Sequence, residues 1–166
     1  GAVEEMLDCC AWAERGGRAL PLTDQVRRQA LAQADRLNAE GMRVIAVAQK
    51  SNPAPVGQFS AADECEMVLI GFLAFLDPPK ASAPDAIRAL HGCGVAVKVL
   101  TGDNEKVTKA ICAQVGLPAE QILLGGDIDA LTDDELTERA GEVSVFAKLS
   151  PAQKARVVRL LRESGH

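Results

Sequence analysis

Apolar positions change period several times along the first half of the chain. Residues 2–13 mix Ala, Val, Met and Leu with acids in a way that fits a helix, and Gly16, Gly17 and Pro21 interrupt the pattern beyond it. Val26, Ala30, Ala34 and Leu37 then recur at helical spacing behind Thr23 and Asp24, either of which suits an N-cap. Gly41 closes that segment. The Val- and Ile-bearing stretch 42–48 predicts a strand, and the two prolines in 51–57 predict a loop. Residues 67–76 predict a second extended run, which ends in Asp77-Pro78-Pro79.

Beyond that corner, strand and helix patterns alternate. Ser82 stands at a helix start with Pro84 in the first turn and Ala86, Ile87 and Leu90 facing inward; Gly92 and Gly94 end it. A β-branched run, 95–100, passes directly into Thr101-Gly102-Asp103-Asn104. Val107, Ile111 and Val115 mark the next helix, stopped by Gly116 with Pro118 beyond. Residues 122–124 and 143–147 read as short strands. Two capping boxes, Thr132-Asp133-Asp134-Glu135 and Ser150-Pro151-Ala152-Gln153, open the last two helices, the second running to about Glu163.

Alternation with short links implies right-handed crossovers and a parallel sheet covered on both sides. The expected fold class is therefore α/β: most of a doubly wound parallel sheet over 73–166, preceded by a mixed α+β unit over 1–72 with no obvious closure of its own. Asp77, Pro78 and Pro79 form the expected hinge, because two prolines stiffen the link.

Composition narrows the picture. With 48% apolar but only 3% aromatic residues, a core must be built from Ala, Val, Leu and Ile. A net charge of −5 argues against a nucleic-acid partner. No run reaches the roughly 18–20 apolar residues of a bilayer helix, and no basic start precedes an apolar run, so a soluble piece without a signal peptide is expected. Cys9, Cys10, Cys65, Cys93 and Cys112 include no CxxC pair, and His91 and His166 lie far apart. Reduced, buried thiols are expected at all five positions, with no zinc site.

Two places invite chemistry. Ligands gather at the carboxyl ends of strands in open parallel sheets. There Thr101, Gly102 and Asp103 offer a hydroxyl, a tight turn, a carboxylate and free helix amides, which suits a phosphoryl group. The plainer alternative is a strand-to-helix turn in which Thr101 or Asp103 merely caps. Lys154 sits in the first turn of the last helix, where a cation opposes the dipole at a cost of a few tenths of a kcal/mol. It serves either a bound anion or only solvent, and Lys148 at the preceding strand end is equally open. Asp133 and Asp134 read as helix-start acids. Asp127 and Asp129 hint at a metal loop but lack the glycine and glutamate of a calcium hand, so no metal site is expected.

Three ordered motifs carry a resemblance: Leu76-Asp77-Pro78-Pro79-Lys80, Leu100-Thr101-Gly102-Asp103-Asn104, and Phe146-Ala147-Lys148-Leu149-Ser150-Pro151-Ala152-Gln153-Lys154. In order and spacing they resemble P-type ATPases. The stretches 75–80, 97–100 and 127–136 look most like the magnesium-importing members. Gly1-Ala2 resembles the tail of the Lys-Gly-Ala motif of the nucleotide-binding domain, and Gly41-Met42-Arg43-Val44 the segment whose arginine reaches the ATP phosphates.

The resemblance implies that 1–72 is the C-terminal part of the nucleotide-binding domain and 73–166 part of a phosphorylation domain similar to the haloacid-dehalogenase fold. Thr101 would bond the transferring phosphoryl and Lys154 would neutralise it. Gly1, Arg43, Gly102, Asp103 and Lys148 would serve nucleotide or phosphate, Lys148 standing where many relatives carry arginine. ATP and Mg2+ are the implied cofactors of the parent. The implied partners are the actuator and membrane domains of the same ATPase, and the implied location is the cytoplasmic side of a plasma (inner) membrane. The phosphorylated aspartate would lie upstream of Gly1 and a Gly-Asp-Gly stretch beyond His166, so these residues alone are expected to be inactive. A dehalogenase-type phosphatase would need an Asp-x-Asp nucleophile after an early strand, and none stands there, while a non-catalytic nucleotide-binding or regulatory module is the other alternative.

Overall fold

The computed structural model describes every residue except Asn52, Ala54, Phe59 and His166, so part of the 51–57 loop and the second histidine lie outside the described residues. The chain divides into two compact units: Gly1–Asn38 with Met42–Leu76, and Ala39–Gly41 with Asp77–His166.

In the first unit, the N-terminal segment is not one helix. Helix α1 covers Val3–Cys9 and buries Val3 and Leu7, one turn apart. The period then switches, and strand β1, Cys10–Arg15, buries Cys10 and Ala13. Gly16 and Gly17, with φ of 61° and 79°, supply the two left-handed residues of a tight hairpin turn into β2, Arg18–Pro21. The glycine pair that breaks the helical pattern therefore joins two strands. Helix α2, Asp24–Ala39, packs Val26, Ala30, Leu31 and Ala34 inward, with Leu31 rather than Leu37 completing the stripe. Strands β3, Met42–Gln49, and β4, Met67–Leu76, finish a four-stranded mixed sheet in the order β2-β1-β4-β3. Its helix-covered face closes on Leu7, Cys10, Ala13, Ala46 and Leu69, so this unit does have a core of its own.

The second unit contains α3 (Ala83–Gly92), β5 (Val99–Leu100), α4 (Glu105–Val115), β6 (Ile122–Leu124), α5 (Gly125–Ala130), α6 (Asp133–Glu142), β7 (Val145–Ala147) and α7 (Pro151–Glu163). Its three strands are parallel, in the order β5-β7-β6. Successive strand residues face opposite ways. Val99, Ile122 and Val145 pack with Ile87 of α3 and with Cys112 and Val115 of α4. Leu100, Leu123 and Phe146 pack with Ile128 of α5, Leu136 and Ala140 of α6, and Val157 and Leu160 of α7. Apolar residues on both faces of a short parallel strand are the mark of a sheet buried on two sides.

Several expectations fail, each for a physical reason. The strand expected over 95–100 contracts to two residues, because β5 is an edge strand whose ladder can only be as long as three-residue β7. Residue 98 is held by its side chain instead: Lys98 Nζ donates to the carbonyls of Gly141 and Val143, at 3.1 and 2.9 Å, at the C-terminal end of α6. A cation there suits the helix dipole, while burial lowers the lysine's pKa. Only Ile87 of the expected α3 stripe packs inward; Ala86 and Leu90 are exposed. Ser82 precedes α3 but makes no side-chain cap, since its own backbone is already helical. Cys10 and Cys112 are buried, and burial raises both thiol pKa values, but Cys65 and Cys93 are exposed and Cys9 is half-buried.

Asp133 does more than begin a helix. Its carboxylate takes Arg156 at 2.8 Å and Arg159 at 2.8 Å, tying α6 to α7, and those hydrogen bonds hold its pKa below the usual value. A depressed carboxylate pKa stabilises the fold fully above the unfolded value of about 3.9, and that contribution disappears as pH falls through the lower folded value. Asp133→Asn should therefore flatten the loss of stability below about pH 4, measured by urea denaturation of both forms at pH 5 and pH 2.5.

Candidate functional site

The turn after β5 is built from its own hydrogen bonds. Thr101 N–H donates to the Phe146 carbonyl at 3.0 Å, which continues the β5–β7 ladder by one residue. Thr101 Oγ1 donates to Asp103 Oδ2 at 2.9 Å and accepts the Asp103 N–H at 3.1 Å. The cap of α4 is neither of these residues. Asn104 is the N-cap, and its side-chain oxygen accepts the Val107 N–H at 3.0 Å. The capping alternative is thereby removed: Thr101 and Asp103 are left to shape the turn.

That turn is bonded to the end of β7. Lys148 N–H donates to the Asp103 carbonyl at 2.7 Å, and Leu149 N–H to the Thr101 carbonyl at 3.0 Å. A Cβ on Gly102 would stand 3.4 Å from the Leu149 carbonyl oxygen, at the edge of ordinary contact. Lys148 itself has φ of 56°, left-handed backbone that costs an ordinary residue about 1 kcal/mol or more. Its side chain is exposed. Ser150 then caps α7: its Oγ accepts the Gln153 N–H at 3.2 Å, and Gln153 Oε1 accepts the Ser150 N–H at 2.8 Å. Lys154 follows, half-buried, its N–H bonded to the Ser150 carbonyl at 3.1 Å.

The third strand end joins through residues that the pattern of the sequence did not single out. Gly125 follows β6 directly, and a Cβ there would lie 2.5 Å from the Lys148 carbonyl oxygen. Only glycine fits that approach. The Gly125-Gly126 pair after a short strand was the available signal. Asp127 accepts the Leu124 N–H at 2.8 Å to start α5, and Asp129 accepts Gln153 Nε2 at 2.8 Å. Among the described residues, no group of three His, Cys, Asp or Glu side chains converges on a metal position.

Thr101, Gly102, Asp103, Lys148 and Lys154 thus belong to one set of strand-end segments in the second unit. Gly1 and Arg43 belong to the first. Gly1 exchanges backbone hydrogen bonds with Ala46 of β3, at 3.1 and 3.0 Å. Arg43 lies opposite Phe75 on the adjacent strand, on the sheet face away from α1 and α2, where Ile45, Val47 and Leu73 are also exposed. Asp77, Pro78 and Pro79 follow β4 without regular structure, where the second unit resumes.

The second unit thus presents a parallel sheet with a Thr-Gly-Asp turn and a capped, lysine-bearing helix at its strand ends, and comparison with known proteins specifies the family. The family model described as P-type ATPase, cytoplasmic domain N, matches residues 1–82. The chain belongs to the P-type ATPases. It is 43% identical, over its whole length, to the magnesium-transporting ATPase, P-type 1, of Escherichia coli K12, and 42% identical to the protein of that name in Salmonella typhimurium. It is 34% identical over 99% of its length to the human calcium-transporting ATPase type 2C member 2. The chain spans 18% of the length of the two bacterial relatives and 16% of the human one. Among the described residues, no helix is long and apolar enough to cross a membrane.

Proposed function

We propose that these residues are the ATP-handling cytosolic part of a magnesium-translocating P-type ATPase, whose parent couples ATP hydrolysis through an aspartyl phosphate to ion transport. The observation that carries this is the bonded set of strand-end segments, in which the Thr101–Asp103 turn is held by Lys148 and Leu149 and leads to Lys154. The first unit is assigned to the nucleotide-binding domain and the second, wound like the haloacid dehalogenases, to the phosphorylation domain. The corner at Asp77, Pro78 and Pro79 is their hinge. The remaining partners are the actuator and membrane domains of the same protein, which place these residues on the cytoplasmic face of the inner membrane.

Each unit, taken by itself, carries residues of the kind that meet phosphate. Arg43 offers a cation beside exposed Ile45 and Phe75, with Gly1 bonded to the same strand. Within the second unit, taken by itself, Lys148 and Lys154 offer cations for a phosphoryl group, and the Thr101 hydroxyl can turn from Asp103 to a phosphoryl oxygen. For the Mg2+ that accompanies ATP, the described residues supply no converging set of three ligands.

The test is phosphorylation of the purified full-length protein in proteoliposomes. γ-Labelled ATP should leave an acid-stable, hydroxylamine-labile phosphoprotein, and ATP-dependent movement of Mg2+ should accompany it. Label on serine, or none, would remove the aspartyl-phosphate reading. Phosphorylation driven by Ca2+ and not Mg2+ would move the assignment to the calcium-transporting relatives.

A further inference from the structure

Gln153 uses the whole of its side-chain amide. Its Oε1 accepts the Ser150 N–H at 2.8 Å, while Nε2 donates both to the Gly125 carbonyl at 2.9 Å and to Asp129 Oδ2 at 2.8 Å. The acceptor closes the capping box of α7, and the two donors reach across to the first turns of α5. The fit is close, since a Cβ on Gly125 would stand 2.8 Å from Gln153 Oε1. One side chain therefore binds the segment after β6 to the segment after β7, immediately before Lys154 in the sequence.

We infer that Gln153 is a positioning residue that sets Lys154 toward the transferring phosphoryl by bonding α7 to Gly125 and Asp129. The inference rests on the proposed role of Lys154 at that phosphoryl group. A carboxamide is the group that can accept one hydrogen bond and donate two at this place. Glutamate would keep the acceptor for Ser150, and a carboxylate suits a helix N-terminus. It would lack both donors, however, and would set a second negative charge against Asp129. Gln153→Glu thus preserves the cap while breaking the link between the strand ends.

The experiment is rapid-quench phosphorylation of the purified full-length protein at saturating ATP, with the KM for ATP and the melting temperature measured alongside. Gln153→Glu should slow phosphoenzyme formation about tenfold or more, because small misplacement of a group at the reacting centre is costly. KM for ATP should stay within about twofold and the melting temperature close to that of the wild type, since the cap remains. Asp129→Asn alone should have little effect, because its side-chain oxygen still accepts from Gln153. In Gln153→Glu/Asp129→Asn the bond to residue 129 runs the other way, from the new amide to the new carboxylate, while the bond to the Gly125 carbonyl stays lost, so part of the rate should return. A wild-type rate in Gln153→Glu, or no recovery in the double variant, would overturn the inference. Lys154→Ala is run beside them. If it phosphorylates at the wild-type rate, the reading of Lys154 falls and this inference with it. If it is slow while Gln153→Glu is normal, the positioning role of Gln153 alone is wrong.

Discussion

Lys154→Ala in the full-length enzyme should slow phosphoenzyme formation by about a hundredfold or more, the equivalent of roughly 2.7–4 kcal/mol for removing a preorganised electrostatic group. The cation is placed where it stabilises no fold. It lies in the first turn of α7, where the dipole disfavours positive charge, and no hydrogen bond or ion pair of its ammonium is found among the described residues. Alanine is a good helix former at that position, so the fold should survive the change. Thr101→Ala should act in the same direction but less, because it removes a neutral donor that also closes the turn onto Asp103. Rapid-quench phosphorylation of purified variants is the measurement, with circular dichroism as the folding control. A wild-type rate in Lys154→Ala would return the lysine to an ordinary surface role.

Phe146→Ala should cost about 3–5 kcal/mol of stability, the usual range for emptying a fully enclosed aromatic site. Phe146 is the middle residue of the central strand, wholly buried, and it packs among Leu123, Ile128, Leu136 and Val157. The chain has four phenylalanines and one tryptophan, so few other large side chains can move in to fill the space. That loss is a large fraction of the roughly 5–15 kcal/mol a domain commands. The carbonyl of Phe146 also accepts the Thr101 N–H, so the damage reaches the candidate site. Urea denaturation should show the transition of the parallel-sheet unit moving to lower denaturant. Val158→Ala, at a position 48% exposed on α7, should change stability by no more than about 0.5 kcal/mol. If Phe146→Ala behaves like Val158→Ala, the core has been misplaced.

Where local chemistry sufficed, the sequence alone was legible. Both capping boxes are made by the expected residues, Thr132 with Glu135 and Ser150 with Gln153. The strands at 67–76 and 122–124 begin and end where their apolar runs do. Gly116 ends α4 in the left-handed conformation that glycine tolerates. These features depend on bonds between residues three or four apart, or on side chains that favour one backbone shape, and such bonds form whatever surrounds them. The motif residues Thr101, Gly102, Asp103, Lys148 and Lys154 were visible for a related reason: their types and order are intrinsic to the string.

Partners distant in sequence were not visible. The helical pattern over 2–13 gives way to β1 because Cys10 and Ala13 find β4 and the hairpin strand β2 beside them. Val95 and Val97 favour a strand yet make no ladder, since a strand extends only as far as its neighbour does. The role of Gly125 appears only once Lys148 lies against it, and that of Gln153 only once Gly125 and Asp129 are within reach. By itself, then, the sequence determined the helix starts, the turn glycines and the inventory of charged groups at the strand ends. The tertiary structure decided which strands exist, which capping residue is also a tether and which surfaces close, because each depends on contacts across dozens of residues that no local preference encodes.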